Sequence, residues 1–221
     1  MKKLFLALAL MMSLGASAQW VAGVKGGWTQ TSTTRTNLGR IDESYSAMSS
    51  FEFGIQGKYM FYDWLAVRAD LSWMRRSHRM DRNLNYLDPV YTKYRNDYLM
   101  LPVTADLSFG NDKLRGHVLC GGFIGYWMQS KVKGTTYWMT DYYVYFDDFN
   151  EKHDFNDEDR RFTAGLVGGV GLSYDITEQI GVNLDGMFYY DLVSYHKGYE
   201  HLSDPRYLNT LSLTLGVYYK F

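Results

Sequence analysis

Seven ionisable residues of both signs fall on the polar face of alternating segments: Lys25, Glu52, Arg68, Asp70, Asp106, Arg161 and Asp185. Such a set can catalyse, conduct ions or neutralise itself. Removing one partner of a buried ion pair costs about 3–5 kcal/mol, because it leaves an uncompensated charge. If this face is enclosed, a structural ion-pair network is therefore expected, and a pore is the remaining reading. A second set is Ser194, His196 and Asp191, which supply a nucleophile, a base and an orienting acid close together in the chain. No Gly-x-Ser-x-Gly turn accompanies them. His78, His153, His196 and His201 lie in predicted loops, and His117 lies near the end of a strand. No catalytic residue is expected. The third set is an acidic stretch, Asp141, Asp147, Asp148, Glu151, Asp154, Asp157, Glu158 and Asp159. Carboxylate oxygens suit Ca²⁺, but the EF-hand spacing with its glycine is absent. A solvated loop with no metal or cofactor is expected. The aromatics interleaved there (Tyr137, Trp138, Tyr142, Tyr143, Tyr145, Phe146 and Phe149) leave two uses open: an extended hairpin, or anchors for a partner protein over 129–160.

The elements that hold these residues have a period of two. Trp20, Ala22, Val24, Gly26 and Trp28 oppose Gly23, Lys25 and Gly27. Phe51, Phe53, Ile55, Gly57 and Tyr59 oppose Glu52, Gln56 and Lys58. Leu65, Val67, Ala69, Leu71 and Trp73 oppose Arg68, Asp70 and Ser72. Leu99 to Phe109, Phe162 to Tyr174, Ile180 to Tyr190 and Leu211 to Phe221 repeat the pattern. The segment Arg115 to Met128 is glycine-rich and ambiguous, with Val118, Cys120, Ile124, Tyr126 and Met128 favoured as its apolar face. Alternation of this kind marks strands with one apolar and one polar face. The eight segments are each long enough to cross a bilayer as a tilted strand of about 9–11 residues. Tight links at Phe61–Trp64, Gly110–Leu114 and Asp175–Gln179 alternate with long polar links at Gln30–Ala47, Arg76–Asn96, Gln129–Arg160 and Ser194–Arg206. Short turns at one end and long loops at the other fit an antiparallel up-and-down transmembrane β-barrel with periplasmic turns. Pro102 interrupts the fourth segment, where a missing ladder donor is unwelcome.

Residues 1–18 combine Met1-Lys2-Lys3, the apolar run Leu4–Leu14 and Ala16-Ser17-Ala18, the layout of a secretory signal peptide. The mature domain is then 19–221. The single cysteine, Cys120, provides no disulfide framework. A net charge of −1 argues against a nucleic-acid partner, which calls for a basic patch. Mean hydropathy is −0.31, and no apolar stretch after the first eighteen residues reaches the length of a spanning helix, about 20 residues. A closed barrel remains compatible with a membrane, because its ladder satisfies every backbone group.

Alternation leaves open which face points outward, and a soluble lipocalin-like carrier would reverse the arrangement. Three features favour an apolar exterior. The polar face is sparse and glycine-rich, which suits the narrow interior of eight strands. Trp20, Trp28, Tyr59, Trp64, Trp73, Tyr98, Trp127, Tyr174 and Tyr218 sit near strand ends, where interfacial aromatics gather. The last strand closes on Phe221.

Four stretches carry a resemblance: Asp97-Tyr98-Leu99-Met100-Leu101-Pro102-Val103, Gly122–Tyr126, Phe162–Gly171 and Leu215–Phe221. They resemble the PorT-like outer-membrane β-barrel domains of Bacteroidota-type Gram-negative bacteria. The match of Tyr98-Leu99-Met100-Leu101-Pro102 to a strand of that family implies a tolerated bulge or the start of a strand at Pro102. That resemblance implies outer-membrane lipid as surroundings and insertion by the barrel-assembly machinery through the strand ending at Phe221. It carries no catalytic pattern. The expected function is non-enzymatic display of loops in a structural, adhesive or secretion-related role. A lipid-modifying enzyme, a small channel and a periplasmic carrier are the alternatives.

Overall fold

The structure is a computed structural model that describes residues 19–35, 43–82, 90–111, 113–140, 143–157, 159–195 and 206–221. The expected signal segment, His196, His201, Asp141, Tyr142 and Glu158 lie outside these residues. Nine strands are present among them: β1 (Gln19–Arg35), β2 (Glu43–Tyr62), β3 (Leu65–Arg82), β4 (Val90–Gly110), β5 (Leu114–Met139), β6 (Val144–Lys152), β7 (Phe162–Asp175), β8 (Ile180–Asp191) and β9 (Arg206–Lys220). All pairings are antiparallel. Eight strands close a ring in the order β1-β2-β3-β4-β5-β7-β8-β9, with β9 returning to β1. The ninth, β6, lies outside the ring and pairs with the upper part of β5. It occupies the acidic aromatic stretch, which forms the extended hairpin.

The three tight links are turns. Three of the four long links are shorter than expected, because strands run on into them: β1 to Arg35, β3 to Arg82 and β5 to Met139. Runs such as Thr29-Gln30-Thr31-Ser32-Thr33-Thr34 carry no apolar face for periodicity to detect. Their threonines nevertheless favour extended backbone, and a ladder partner is in reach at every residue. Breaks in register between Ala47 and Glu52 on β2, and opposite Asp97–Tyr98 at Met128 on β5, mark the level where the ring passes into this taller rim. Bulges commonly sit where a barrel wall bends.

Pro102 produces no bulge. The β3–β4 ladder keeps its register from Ala69↔Val103 to Ser72↔Met100 and only skips the pairs between, while Pro102 remains paired with Phe123 on β5. The missing donor is confined to one side of one strand.

The apolar residues of the alternating segments point outward as an exposed belt that includes Val24, Ile55, Leu101, Val103, Leu166, Val170 and Leu215. On β5, Val118, Cys120, Ile124 and Tyr126 are exposed as favoured. Trp20, Trp28, Tyr59, Phe61, Trp64, Trp73, Tyr174 and Tyr190 lie near the margins of this belt. Tyr98, Trp127 and Tyr218, expected among the outer aromatics, are instead buried in the lumen. Each is the immediate neighbour of an outward residue (Leu99, Tyr126 and Tyr219), and pleating sends neighbours to opposite faces.

Candidate functional site

The lumen is filled in layers, and their order follows the inward residues of β3 and β8 from the turn end to the loop end. On β3 these are Arg68, Asp70, Ser72, Met74 and Arg76. On β8 they are Asn183, Asp185, Met187, Tyr189 and Asp191. Both strands read polar, then apolar, then charged again.

The first layer is an ionic cluster centred on Arg68. Its guanidinium grips Asp70 through Nε (2.9 Å) and Nη2 (3.1 Å), donates to Asp185 from Nη1 (2.7 Å), and reaches Gln56 Oε1 (3.0 Å). A fork of this kind matches carboxylate geometry, and charge-assisted bonds are roughly twice as strong as neutral ones. Lys25 donates to Asp70 at 2.8 Å and lies 3.7 Å from Glu52. His117 Nε2 meets Asp185 at 2.7 Å, and Asn183 donates to Asp185 at 2.6 Å. Lys58 and Asp106 form a separate pair at 2.8 Å, closer to the turn end. The close approach of His117 and Asp185 requires Gly171, where an added Cβ would collide with both side chains.

Five of the seven charges singled out in the sequence (Lys25, Glu52, Arg68, Asp70 and Asp185) therefore lie in this layer, and Asp106 pairs with Lys58 below it. Arg161 does not join them. It precedes β7 at the loop end, donates from Nε to the carbonyl of Trp127 (3.1 Å), and stands over the rings of Tyr126 (4.7 Å) and Phe155 (4.4 Å). Its parity is inward, but its height is wrong for pairing with the ionic layer. Sequence reasoning missed Gln56, His117 and Asn183 as members. Their signal was parity: each shares a face with a member of the cluster on its strand or lies opposite an outward residue.

The second layer is apolar. Met74, Met100, Leu119, Phe123, Val167, Met187 and Tyr189 form one buried cluster. Phe123 enters the space above Gly165, where a Cβ would meet its ring and the carbonyl of Tyr190. Above it, Arg76 clamps Asp191 with two bonds (3.0 and 2.8 Å) and donates to Thr210 (2.9 Å) and to the carbonyl of Leu208. An aromatic cap closes the loop end. Trp127 stacks on Tyr98 (5.9 Å) and His153 (6.1 Å) and takes the edges of Phe155 (4.9 Å) and Tyr195 (6.1 Å). His78, expected in a loop, is buried within β3 and stacked on Tyr94 at 4.8 Å. Burial, with Arg206 and Arg76 nearby, pushes its pKa down to about 3, so it is neutral at pH 7.

At the turn end the lumen is open. A small recess of about 50 Å³, continuous with solvent, is lined by Lys58, Arg68, Asp106, Arg115, His117 and Lys220 among others. Lys220 and the Tyr218 hydroxyl both hold Asp175, the latter at 2.6 Å. The interior is thus a cup, open at the turns and sealed toward the loops.

Among the described residues, the other candidates have partners of their own. Asp191 is engaged by Arg76 and by Thr163 (3.3 Å). Ser194 Oγ accepts the amide of Arg206 (3.0 Å), and His196 lies outside the described residues. In the acidic stretch, Asp148 accepts from Thr135 (2.6 Å), and Asp159 meets His153 (2.8 Å). No metal-ligating cluster is found among the described residues.

The sequence matches the family model described as outer membrane protein beta-barrel domain over residues 15–194. Three solved structures share the fold. The outer membrane protein OprG of Pseudomonas aeruginosa has a TM-score of 0.53 at 14% identity, over 92% of this chain and 96% of that one. The outer membrane protease OmpT of Escherichia coli has a TM-score of 0.51 at 9% identity, over 92% and 97%. The outer membrane protein AlkL in lipid bilayers has a TM-score of 0.50 at 16% identity, over 92% and 90%. No curated protein matches the sequence.

Proposed function

The chain belongs to the outer membrane protein beta-barrel domain family and resides in the outer membrane, and from that premise we propose that it is a non-conducting, non-enzymatic anchor that displays a rigid extracellular rim. The observation that carries this reading is the contrast between a sealed interior and strands that continue past the belt. The apolar layer and the aromatic cap stand between the cup and the loops. The ladders of β1 to β6 continue above the belt, and their hairpin carries exposed Tyr143, Tyr145 and Phe146. Pre-ordered aromatic side chains serve recognition at low entropic cost.

In this reading residues 1–18 direct export and are removed, and the turn end faces the periplasm. Outer-membrane lipid surrounds the belt, and the strand ending at Phe221 is the segment read by the assembly machinery. A PorT-like, secretion- or adhesion-related role fits a barrel whose working part is its rim. The engagement of Asp191 by Arg76 counts against a lipid-modifying triad with Ser194 and His196. Outward apolar side chains at near half exposure over all eight ring strands count against a periplasmic carrier.

Reconstitution in planar bilayers tests the sealed interior: no conductance above leak is expected, and a steady ohmic conductance would overturn the reading. Protease treatment of intact cells tests the display. Cleavage within 137–158 is expected with the belt left whole, and cleavage only after cell disruption would reverse the assigned orientation.

A further inference from the structure

Among the described residues β6 is bonded on one side only, to β5, from Lys131↔Lys152 to Met139↔Val144. In an antiparallel ladder, alternate pairs exchange both hydrogen bonds, and the residues between them turn their backbone groups away. Two bonds fix the phase here. The Thr140 amide donates to the Tyr143 carbonyl, and the His153 amide donates to the Ser130 carbonyl. Counting inward from both ends gives the same answer. Tyr145, Asp147, Phe149 and Glu151 address β5. Val144, Phe146, Asp148, Asn150 and Lys152 direct their N–H and C=O groups to the free edge.

An exposed row of unpaired backbone groups is a template for another strand. The charges on β6 select among occupants. Asp147, Asp148 and Glu151 are all exposed and face a single cation on the strand, Lys152. A second copy of this chain is a poor occupant, because antiparallel pairing about the middle of β6 sets Asp147 or Asp148 against itself, and like charges directly opposite destabilise a ladder. We infer that the free edge of β6 accepts an extended segment of another protein in which basic residues alternate with apolar ones. The backbone groups supply affinity, the carboxylates supply selectivity, and Tyr145 and Phe146 supply apolar contact.

This inference rests on the display reading above, and the experiment separates the two. The purified chain in detergent micelles is titrated with a fluorescent peptide of alternating Lys and Val, and with its Glu–Val counterpart. Saturable binding of the first, weakened by salt, and none of the second is expected. Asn150→Pro deletes an outward donor at an edge position that tolerates proline and should weaken binding at least about tenfold, whereas Asn150→Ala should not. Amide exchange checks the hairpin: slow exchange at Tyr145, Asp147 and Glu151 should persist in Asn150→Pro. If that protection is lost, the double variant Asp147→Asn/Glu151→Gln decides, and it should weaken the Lys–Val peptide and abolish the salt dependence. Equal binding of both peptides, or full binding by either test variant with the hairpin intact, would overturn the inference. If the purified chain binds but intact cells resist protease in 137–158, the display reading fails and the edge assignment stands. If cells are cut and no peptide binds, the edge assignment alone fails.

Discussion

Toward the turn end the lumen is filled by Lys25, Arg68, Asp70, His117 and Asp185, and toward the loop end by Met74, Met100, Phe123, Met187 and Tyr189. Both layers are buried to a similar degree and share β3, β5 and β8. They differ in how their contents depend on one another. In the ionic layer Lys25, Arg68, Asp70, His117 and Asp185 are bonded to one another, while Glu52 has only the 3.7 Å approach of Lys25, so loss of one partner strands others. In the apolar layer each side chain loses mainly its own dispersion contacts and buried area. Equal burial therefore does not imply equal fragility, and substitutions can make the distinction visible.

The largest effect is expected at Arg68. Arg68→Met keeps much of the volume but leaves Asp70 with Lys25 alone and Asp185 with His117 and Asn183. The expected loss is about 3–5 kcal/mol, the usual cost of breaking a buried pair. Adding Asp185→Asn should recover part of that loss. Urea unfolding in lipid vesicles, followed by heat-modifiable gel mobility, measures both. No recovery in the double variant would mean that the charges do not act as a unit.

Next is Met187→Ala in the apolar layer, expected to cost about 2–5 kcal/mol according to how far the neighbours collapse. Combined with Met100→Ala, the losses should add or exceed their sum, the reverse of the recovery expected at Arg68. A double variant as stable as either single one would erase the distinction between the layers. A smaller effect is set by pH at the rim. His78 is held neutral in the folded chain, with a pKa pushed down by burial to about 3 from the ordinary histidine value of 6.5. Between those values the unfolded chain binds the proton and the folded chain does not. Stability from this group is full above about pH 6.5 and falls on acidification by up to about 1.4 kcal/mol per pH unit. His78→Phe should flatten that slope in the amide exchange of β3 and β4 near the rim. An unchanged slope would assign the acid sensitivity elsewhere.

The sequence exposes the parts of this molecule that obey alternation. The belt, the facing of β5 and the inward set of charges follow from parity at Val118, Ile124, Arg68 and Asp185. Height is a different matter, because parity does not specify it. Arg161 has inward parity but stands among rings at the loop end, and Arg76 with Asp191 forms a second clamp well above the first. The rim is hidden for a related reason. Residues such as Thr31, Ser32 and Thr33 are polar in both directions, so a ladder with polar side chains on both faces leaves no apolar period to detect. Tyr98, Trp127 and Tyr218 show the cost of reading residue type ahead of parity.

The smallest expected effect comes from Lys58, which pairs with Asp106 at 2.8 Å but keeps about a quarter of its side chain exposed (23%) at the mouth of the cup. Water there solvates either partner when the other is removed, so the pair behaves as a surface bridge, worth about 0–1 kcal/mol. Lys58→Met should therefore change the urea midpoint little, and raising the salt concentration should weaken the contribution further. The same comparison at Lys25, buried and bonded to Asp70 at the same 2.8 Å, should give a severalfold larger loss that salt hardly alters. Two lysine–aspartate contacts of identical length would then differ with their access to water and with the Arg68 bonds that hold Asp70 in place. Equal losses at the two sites would mean that water reaches Lys25 as freely as Lys58, and that the ionic layer forms no seal.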